Sequence, residues 1–256
     1  MPPEPLYSEP LAPRRLDRAL SDLGACSRRE ALRWVLQGRV SVDGRVERTP
    51  SLQVAPGRQI LRIDGAALAT DPERLVYAFH KPAGLITTRH DPGGRPTVYD
   101  ALPPGLPWLA PVGRLDRDTS GLLILTNDHS LACALTDPAA GIPKTYHARV
   151  AGLLDDADVD PFRTGLTLDD GTQTRPAGAR ILGSTRTGDT WLQLVLREGR
   201  NRQVRRMCAA IGHPVRQLVR VAIGPLTLSD LPTGQLRRLG VRSVPLLFRS
   251  TPPSNP

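Results

Sequence analysis

The chain has 256 residues, a formal net charge of +9 and an isoelectric point near 10.4: length for one full-sized core plus a small extra domain, and a basic excess that points to a polyanionic partner. No apolar run approaches a membrane span and the N-terminal stretch has no apolar segment of signal-peptide type, so the expectation is a cytoplasmic protein without membrane association. Three scattered cysteines, Cys26, Cys133 and Cys208, form no C-x-x-C pair, and the five histidines form no H-x-x-x-H pair, which argues against a disulfide framework and against a metal site.

Residues 1–12 are rich in proline and read as a disordered tail; residues 250–256 read as another. Between them, residues 13–63 read as a small α-plus-β module. Leu16, Leu20 and Leu23 mark one face of a short helix that Gly24 ends. Ser27-Arg28-Arg29-Glu30 is a capping box for a second helix, which buries Ala31, Trp34 and Val35 and stops at Gly38. V-S-V-D-G-R-V then gives two alternating strands around Asp43-Gly44, a strong hairpin signal, with one more strand over 58–63. The stretch carries eleven Arg against five acidic residues. Arg28, Arg29 and Arg33 at the start of the second helix, with Arg39 beside the hairpin, make a candidate phosphate-binding face. In order, R-L-D, G-x-x-S-R-R-E and G-R-V-x-V-D-G, the segment resembles the α-L RNA-binding domain named after a small-subunit ribosomal protein.

Residues 64–74 are polar, lack apolar periodicity and read as a linker. Residues 75–249 read as the large domain. Strand-like stretches (LVYAFH, GLLILT, YHARVAG, TWLQLVL, LVRVAI) outnumber helical ones at 128–137 and 201–212. The order is no regular β-α-β alternation, so the fold class is α+β with a mixed, mainly antiparallel sheet.

Three segments of this domain concentrate polar residues. In P-V-G-R-L-D-R-D-T-S-G, residues 111–121, charges lead straight into an apolar strand, which places Asp116 and its neighbours at the mouth of a buried element. Taken alone, paired Asp and Arg in a loop are ordinary surface salt bridges. In 141–150, Tyr146 follows Lys144 and opens a strand; aromatic and basic residues together suit an unstacked base and its phosphate, although a strand-initial Tyr is also ordinary packing. Residues 196–220 carry seven Arg against one Glu, with Arg200, Arg202, Arg205 and Arg206 crowded at a helix start, a density that suits phosphate contacts or a buried carboxylate. Of the 34 Lys and Arg residues only Lys81 and Lys144 are Lys, and both fall inside motifs.

Together H-K-P-x-G at 80–84, G-R-L-D-x-D-T-S-G-L at 113–122, K-T-Y at 144–146 and E-G-R-N-R-Q-V-R-R-M at 198–207 resemble the ribosomal pseudouridine synthases of the Rsu/Rlu type. The resemblance spans residues 13–249. It implies isomerisation of one uridine in ribosomal RNA by cleavage of the glycosidic bond, rotation of uracil and attachment through C5. It also implies that no cofactor takes part. By position it makes Asp116 the essential carboxylate, Tyr146 the residue stacked on the target uracil and Arg205 the partner that keeps Asp116 ionised. Leu218 falls beneath the base, Arg114 helps hold the flipped nucleotide, and Lys144, Arg200 and Arg202 bind substrate. The N-R-Q-V-R-R-M form is nearer the large-subunit enzymes, which favours 23S rRNA, free or in an assembly intermediate, as the partner of a monomeric enzyme. The rival expectation is a non-catalytic RNA-binding assembly factor; a glycosidic hydrolase is more remote, because Asp116 and Asp118 on one loop make a poor pair across a substrate.

Overall fold

In the computed structural model the described residues are 12–240. The two expected tails, and the end of the domain expected to reach residue 249, lie wholly or partly outside them. Two compact units emerge.

The first unit runs to Leu75 and takes in the segments 105–110 and 126–131. Strand β1 (Arg14–Arg15) leads into α1 (Leu16–Asp22). The Glu30 N–H donates to the Ser27 hydroxyl at 3.2 Å, and the Ser27 N–H donates back to the Glu30 carboxylate at 3.1 Å. This box satisfies the otherwise unpaired first turn of α2 (Arg28–Leu36). Asp43 and Gly44 both take positive φ, 50° and 83°, as the expected tight hairpin between β2 (Val40–Val42) and β3 (Arg45–Glu47) requires. Strand β4 (Gln53–Val54) pairs antiparallel with β1, and β5 (Leu61–Ile63) with β2. Leu16, Leu20, Ala31, Val35, Val40 and Leu61 form the core. The stretch expected to be linker departs from that reading. Asp64 and Gly65 repeat the positive-φ turn, at 49° and 85°, and β6 (Ala66–Ala67) folds back on β5. Two small alanines carry no alternation to betray such a strand.

The second unit holds a nine-stranded sheet in the order β11-β12-β10-β13-β9-β7-β15, with β14 beside β13 and β8 beside β9. Its strands are β7 (Val76–Lys81), β8 (Ala110–Val112), β9 (Thr119–Thr126), β10 (Lys144–Val150), β11 (Gly178–Ser184), β12 (Thr190–Leu196), β13 (Val215–Ile223), β14 (Leu226–Thr227) and β15 (Leu236–Arg238). Strand β10 pairs antiparallel with β12 and β13, β11 with β12, β14 with β13 and β15 with β7, whereas β13 and β9 run parallel. Helices α4 (Asp156–Thr164) and α5 (Gln203–Ala210) belong to this unit, and α3 (His129–Thr136) starts in the 126–131 segment grouped with the first. Val159 and Phe162 of α4, with Val204, Met207 and Cys208 of α5, pack on Ala148, Leu192, Leu194 and Leu218 of the sheet. Helix α4 goes beyond the sequence expectation. Its three acidic residues and internal Pro161 mask an Asp155–Asp158 capping box, and tertiary burial of Val159 and Phe162 overrides the poor composition.

Gly121 explains how β9 reaches β13. Its φ is +113°, and a Cβ there would lie 2.3 Å from the Arg220 carbonyl oxygen and 2.5 Å from its nitrogen. Only glycine lets the two backbones meet at the register Arg220↔Gly121.

Candidate active site

A cavity of about 470 Å³ opens on the second unit, a size that suits one small polar ligand. Its wall takes Arg114 and Asp116 from the loop before β9 and Lys144 and Tyr146 from β10. Arg200 and Arg202 come from the turn before α5, and Leu218 and Arg220 from β13. Seven of the expected substrate-handling positions thus share one hollow; Arg205 does not line it. Strand pairing explains the assembly. Tyr146 stands opposite Arg220 and Ala148 opposite Leu218 across β10 and β13, so a phenol, an apolar side chain and a guanidinium rise from neighbouring positions.

The loop that carries Asp116 is held from beneath by Lys81. Its side chain is 0 % exposed. Nζ donates to the carbonyls of Thr119 at 2.8 Å, Pro82 at 3.0 Å and Asp116 at 3.1 Å, and stands 3.4 Å from that of Arg117. The ammonium is therefore a clasp, not a surface charge. Burial pulls its pKa down to about 8, against the opposing pull of Asp118 and Asp116. Further hydrogen bonds fix the same loop: Gly84 N–H to Arg117 O at 2.7 Å, and the Thr87 hydroxyl to Leu115 O at 2.8 Å.

Arg205 is where the structure corrects the sequence. The expected partner was Asp116. Instead Nε of Arg205 lies 3.2 Å from the Asp118 carboxylate, Nη2 donates to the Asp118 carbonyl at 2.9 Å, and Nη1 reaches Val215 O at 3.4 Å. Arg202 grips the same carboxylate through both terminal nitrogens, at 3.1 and 3.2 Å. Burial works against the charge on Asp118, but the two guanidiniums hold its pKa below the ordinary 3.8. Asp118 takes Arg205 because it lies two residues along the same turn and presents both its carboxylate and its carbonyl to the helix start. Arg202 itself adopts left-handed backbone, φ 48°, as the residue that begins α5. A non-glycine residue held there is strained, and the ion pair with Asp118 rewards the conformation. Asp116 is left facing the cavity, with Lys81 and Arg202 as the cations that feel its charge.

Glu198 anchors the arginine-rich turn. Its carboxylate accepts from the Gln203 amide at 2.6 Å, the Arg175 N–H at 2.9 Å and Arg200 Nε at 3.2 Å. Burial opposes the charge, yet these donors hold its pKa below the usual range.

In the first unit Arg28, Arg29, Arg33 and Arg39 are all exposed. Arg28, Arg29 and Arg33 make no ion pair among the described residues and stay available to phosphate. Arg39 differs: it pairs with Asp64 and lies over the Trp34 ring at 4.9 Å, so an RNA contact there competes with an internal one.

Residues that sequence reasoning left out of the site are Lys81, Asp118, Glu198, Gln203 and Arg220. A signal existed for two of them. Lys81 is one of only two Lys. Arg220 falls at the buried phase of a period-two strand, with Leu218 and Ala222 on either side, where an arginine is out of place. Asp118 acts through Arg202 and Arg205, more than eighty residues along the chain, and carries no local mark, whereas Glu198 and Gln203 pair with each other inside the E-G-R-N-R-Q motif.

Residues 75–210 match the RNA pseudouridylate synthase family, and residues 14–60 match the S4 domain. An uncharacterized RNA pseudouridine synthase of Mycobacterium tuberculosis is 38% identical over 239 residues, covering 92% of this chain and 93% of the relative. The ribosomal large subunit pseudouridine synthase B of Escherichia coli O157:H7 is 41% identical over 230 residues, covering 86% and 77%. The crystal structure of a pseudouridylate synthase superposes with a TM-score of 0.66 at 29% identity, covering 91% of this chain and 99% of that one.

Proposed function

The chain belongs to the RNA pseudouridylate synthase family, and from that premise we propose that its cavity takes one flipped uridine of ribosomal RNA, in the large subunit, and isomerises it to pseudouridine. The observation that carries the reading is the meeting of Asp116 and Tyr146, from a loop and a strand 30 positions apart, in one hollow with Lys144 and Leu218. Two things support the large-subunit choice: the N-R-Q-V-R-R-M form of the helix start, and the similarity to an enzyme named for that subunit. The enzyme works as a monomer, in the cytoplasm with its RNA.

The roles follow from the chemistry. Extruding a base costs a few kcal/mol, which stacking on Tyr146 and contact with Leu218 offset. Exposed Arg114, Arg200 and Arg202 at the rim suit the phosphates that flank the flipped nucleotide. Asp116 acts at the sugar, either by bonding to C1′ or by taking the C2′ proton. Uracil then turns on Tyr146 and its C5 bonds to C1′, displacing the Asp116 oxygen or drawing the proton back from Asp116 to C2′; the C5 proton is released and N1 is protonated. Lys81 keeps the carboxylate in place, and Asp118 ties the start of α5 to the same loop through Arg202 and Arg205.

The test is tritium release from ribosomal RNA labelled at uracil C5, with pseudouridine mapped in the product. Wild-type protein releases tritium at a single site. Asp116→Asn lowers the rate by about 10⁴-fold or more while RNA affinity is retained. Tight RNA binding by the wild type without any release would mark a non-catalytic assembly factor, and free uracil as product would mark a hydrolase.

A further inference from the structure

Arg220 is the most anomalous side chain of the second unit. It is 2% exposed and lies on the cavity wall. Its Nε donates to Leu122 O at 2.8 Å. No carboxylate pairs with it among the described residues, and Nη2 is sealed from solvent without any hydrogen-bond partner. A desolvated, unpaired guanidinium is costly, and a fold keeps one where an anion arrives. Lys144 is the second cation in this corner. Burial lowers its pKa, and Arg220 lowers it further, so the two positive charges sit within each other's field.

The position says which anion. The rim already has exposed arginines for phosphate, whereas Arg220 stands opposite Tyr146 in the β10–β13 register and two residues after Leu218 on the same face. Those are the residues that hold the base. We infer that Arg220, with Lys144, forms a cationic cradle that stabilises uracil as an anion while it is detached from the sugar. The inference rests on the reading of the cavity as a uridine site. When the N1–C1′ bond breaks, its electron pair leaves with N1 and spreads onto O2 and O4. C1′ is satisfied by an Asp116 oxygen or by loss of the C2′ proton to Asp116. The charge on uracil is consumed when C5 bonds to C1′ as the Asp116 oxygen leaves C1′, or as Asp116 returns the proton to C2′; the C5 proton then departs and N1 takes up a proton. A fixed guanidinium and ammonium, already stripped of water, favour that interval over the bound uridine and need no reorganisation.

The test compares leaving groups. Fluorine at C5 makes uracil a more stable anion, so a substrate RNA with 5-fluorouridine at the target depends less on the cradle. Single-turnover consumption of the target nucleoside is followed for wild type, Arg220→Gln, Arg220→Lys and Lys144→Gln, with RNA affinity measured in parallel. Arg220→Gln is expected to slow uridine by about 10²–10³-fold and 5-fluorouridine by a factor at least tenfold smaller; Arg220→Lys recovers part of the loss, and RNA affinity stays within about twofold. If Arg220→Gln does not fold, Lys144→Gln, at a partly buried position, carries the same comparison. Equal losses on both substrates, no loss, or a loss of RNA affinity with the rate intact each overturn the cradle. Wild-type protein that leaves uridine unchanged overturns the functional reading instead.

Discussion

Lys81 brings four backbone carbonyls to one ammonium, and no neutral side chain of similar length can serve them. Lys81→Met removes the ammonium donor from all of them, and although Arg117 O and Asp116 O keep backbone partners in Gly84 N–H and Thr119 N–H, the loop loses its buried clasp, so the change is expected to lower stability by about 1–3 kcal/mol, read as a drop in the urea midpoint, and to cut the rate as the Asp116 loop loosens. Asp118 offers a test of a different kind. Its folded pKa lies below the ordinary 3.8, so its ion pairs are fully formed above that value and are lost only as pH falls through the lower folded one. The side chain is 46% exposed, so its contribution to stability is small; its consequence is positional. Asp118→Asn is expected to reduce the single-turnover rate by about tenfold at neutral pH, where the mutant lacks the anion that gathers Arg202 and Arg205, with little change in melting temperature. A mutant rate equal to wild type at neutral pH would remove Asp118 from the positioning role.

At the scale of elements, the parallel contact of β9 with β13 brings the Asp116 loop to the strand that carries Leu218 and Arg220. Gly121 is the condition for it. Gly121→Ala must take a φ of +113° and drive its Cβ into the Arg220 backbone, so a loss of about 3 kcal/mol or more is expected, with soluble yield and thermal midpoint as the measurements. The sequence showed most of these elements. The capping box at Ser27, the turn at Asp43-Gly44 and the apolar run 121–126 announce themselves, because caps, positive-φ turns and buried strands each depend on residues within a few positions of one another. Helix α4 and strand β6 escaped for the converse reason. An acidic, proline-bearing helix and a two-alanine strand owe their existence to what covers them.

Over the whole molecule the positive charge divides between the two units, as the Arg counts of residues 13–63 and 196–220 already indicate. Exposed Arg28, Arg29 and Arg33 belong to the S4 match. Replacing all three with Ala is expected to weaken RNA binding across sequences and to flatten its salt dependence, with the slope of log affinity against log salt falling by about 0.7–0.9 for each phosphate no longer neutralised. The turnover of saturating RNA should stay intact, and a fall in turnover at saturation would place these residues nearer the chemistry. Motif order and spacing by themselves pointed to the family and to the two matched segments, and that resemblance, not the spacing, singled out Asp116, Tyr146 and Leu218 as candidates. The pairing of Arg205 with Asp118, the clasp of Lys81 and the unpaired charge of Arg220 were decided by the tertiary structure alone. Ion pairing and desolvation depend on distances between segments some 35 to 100 residues apart, and a linear chain does not encode those distances until its strands are in register.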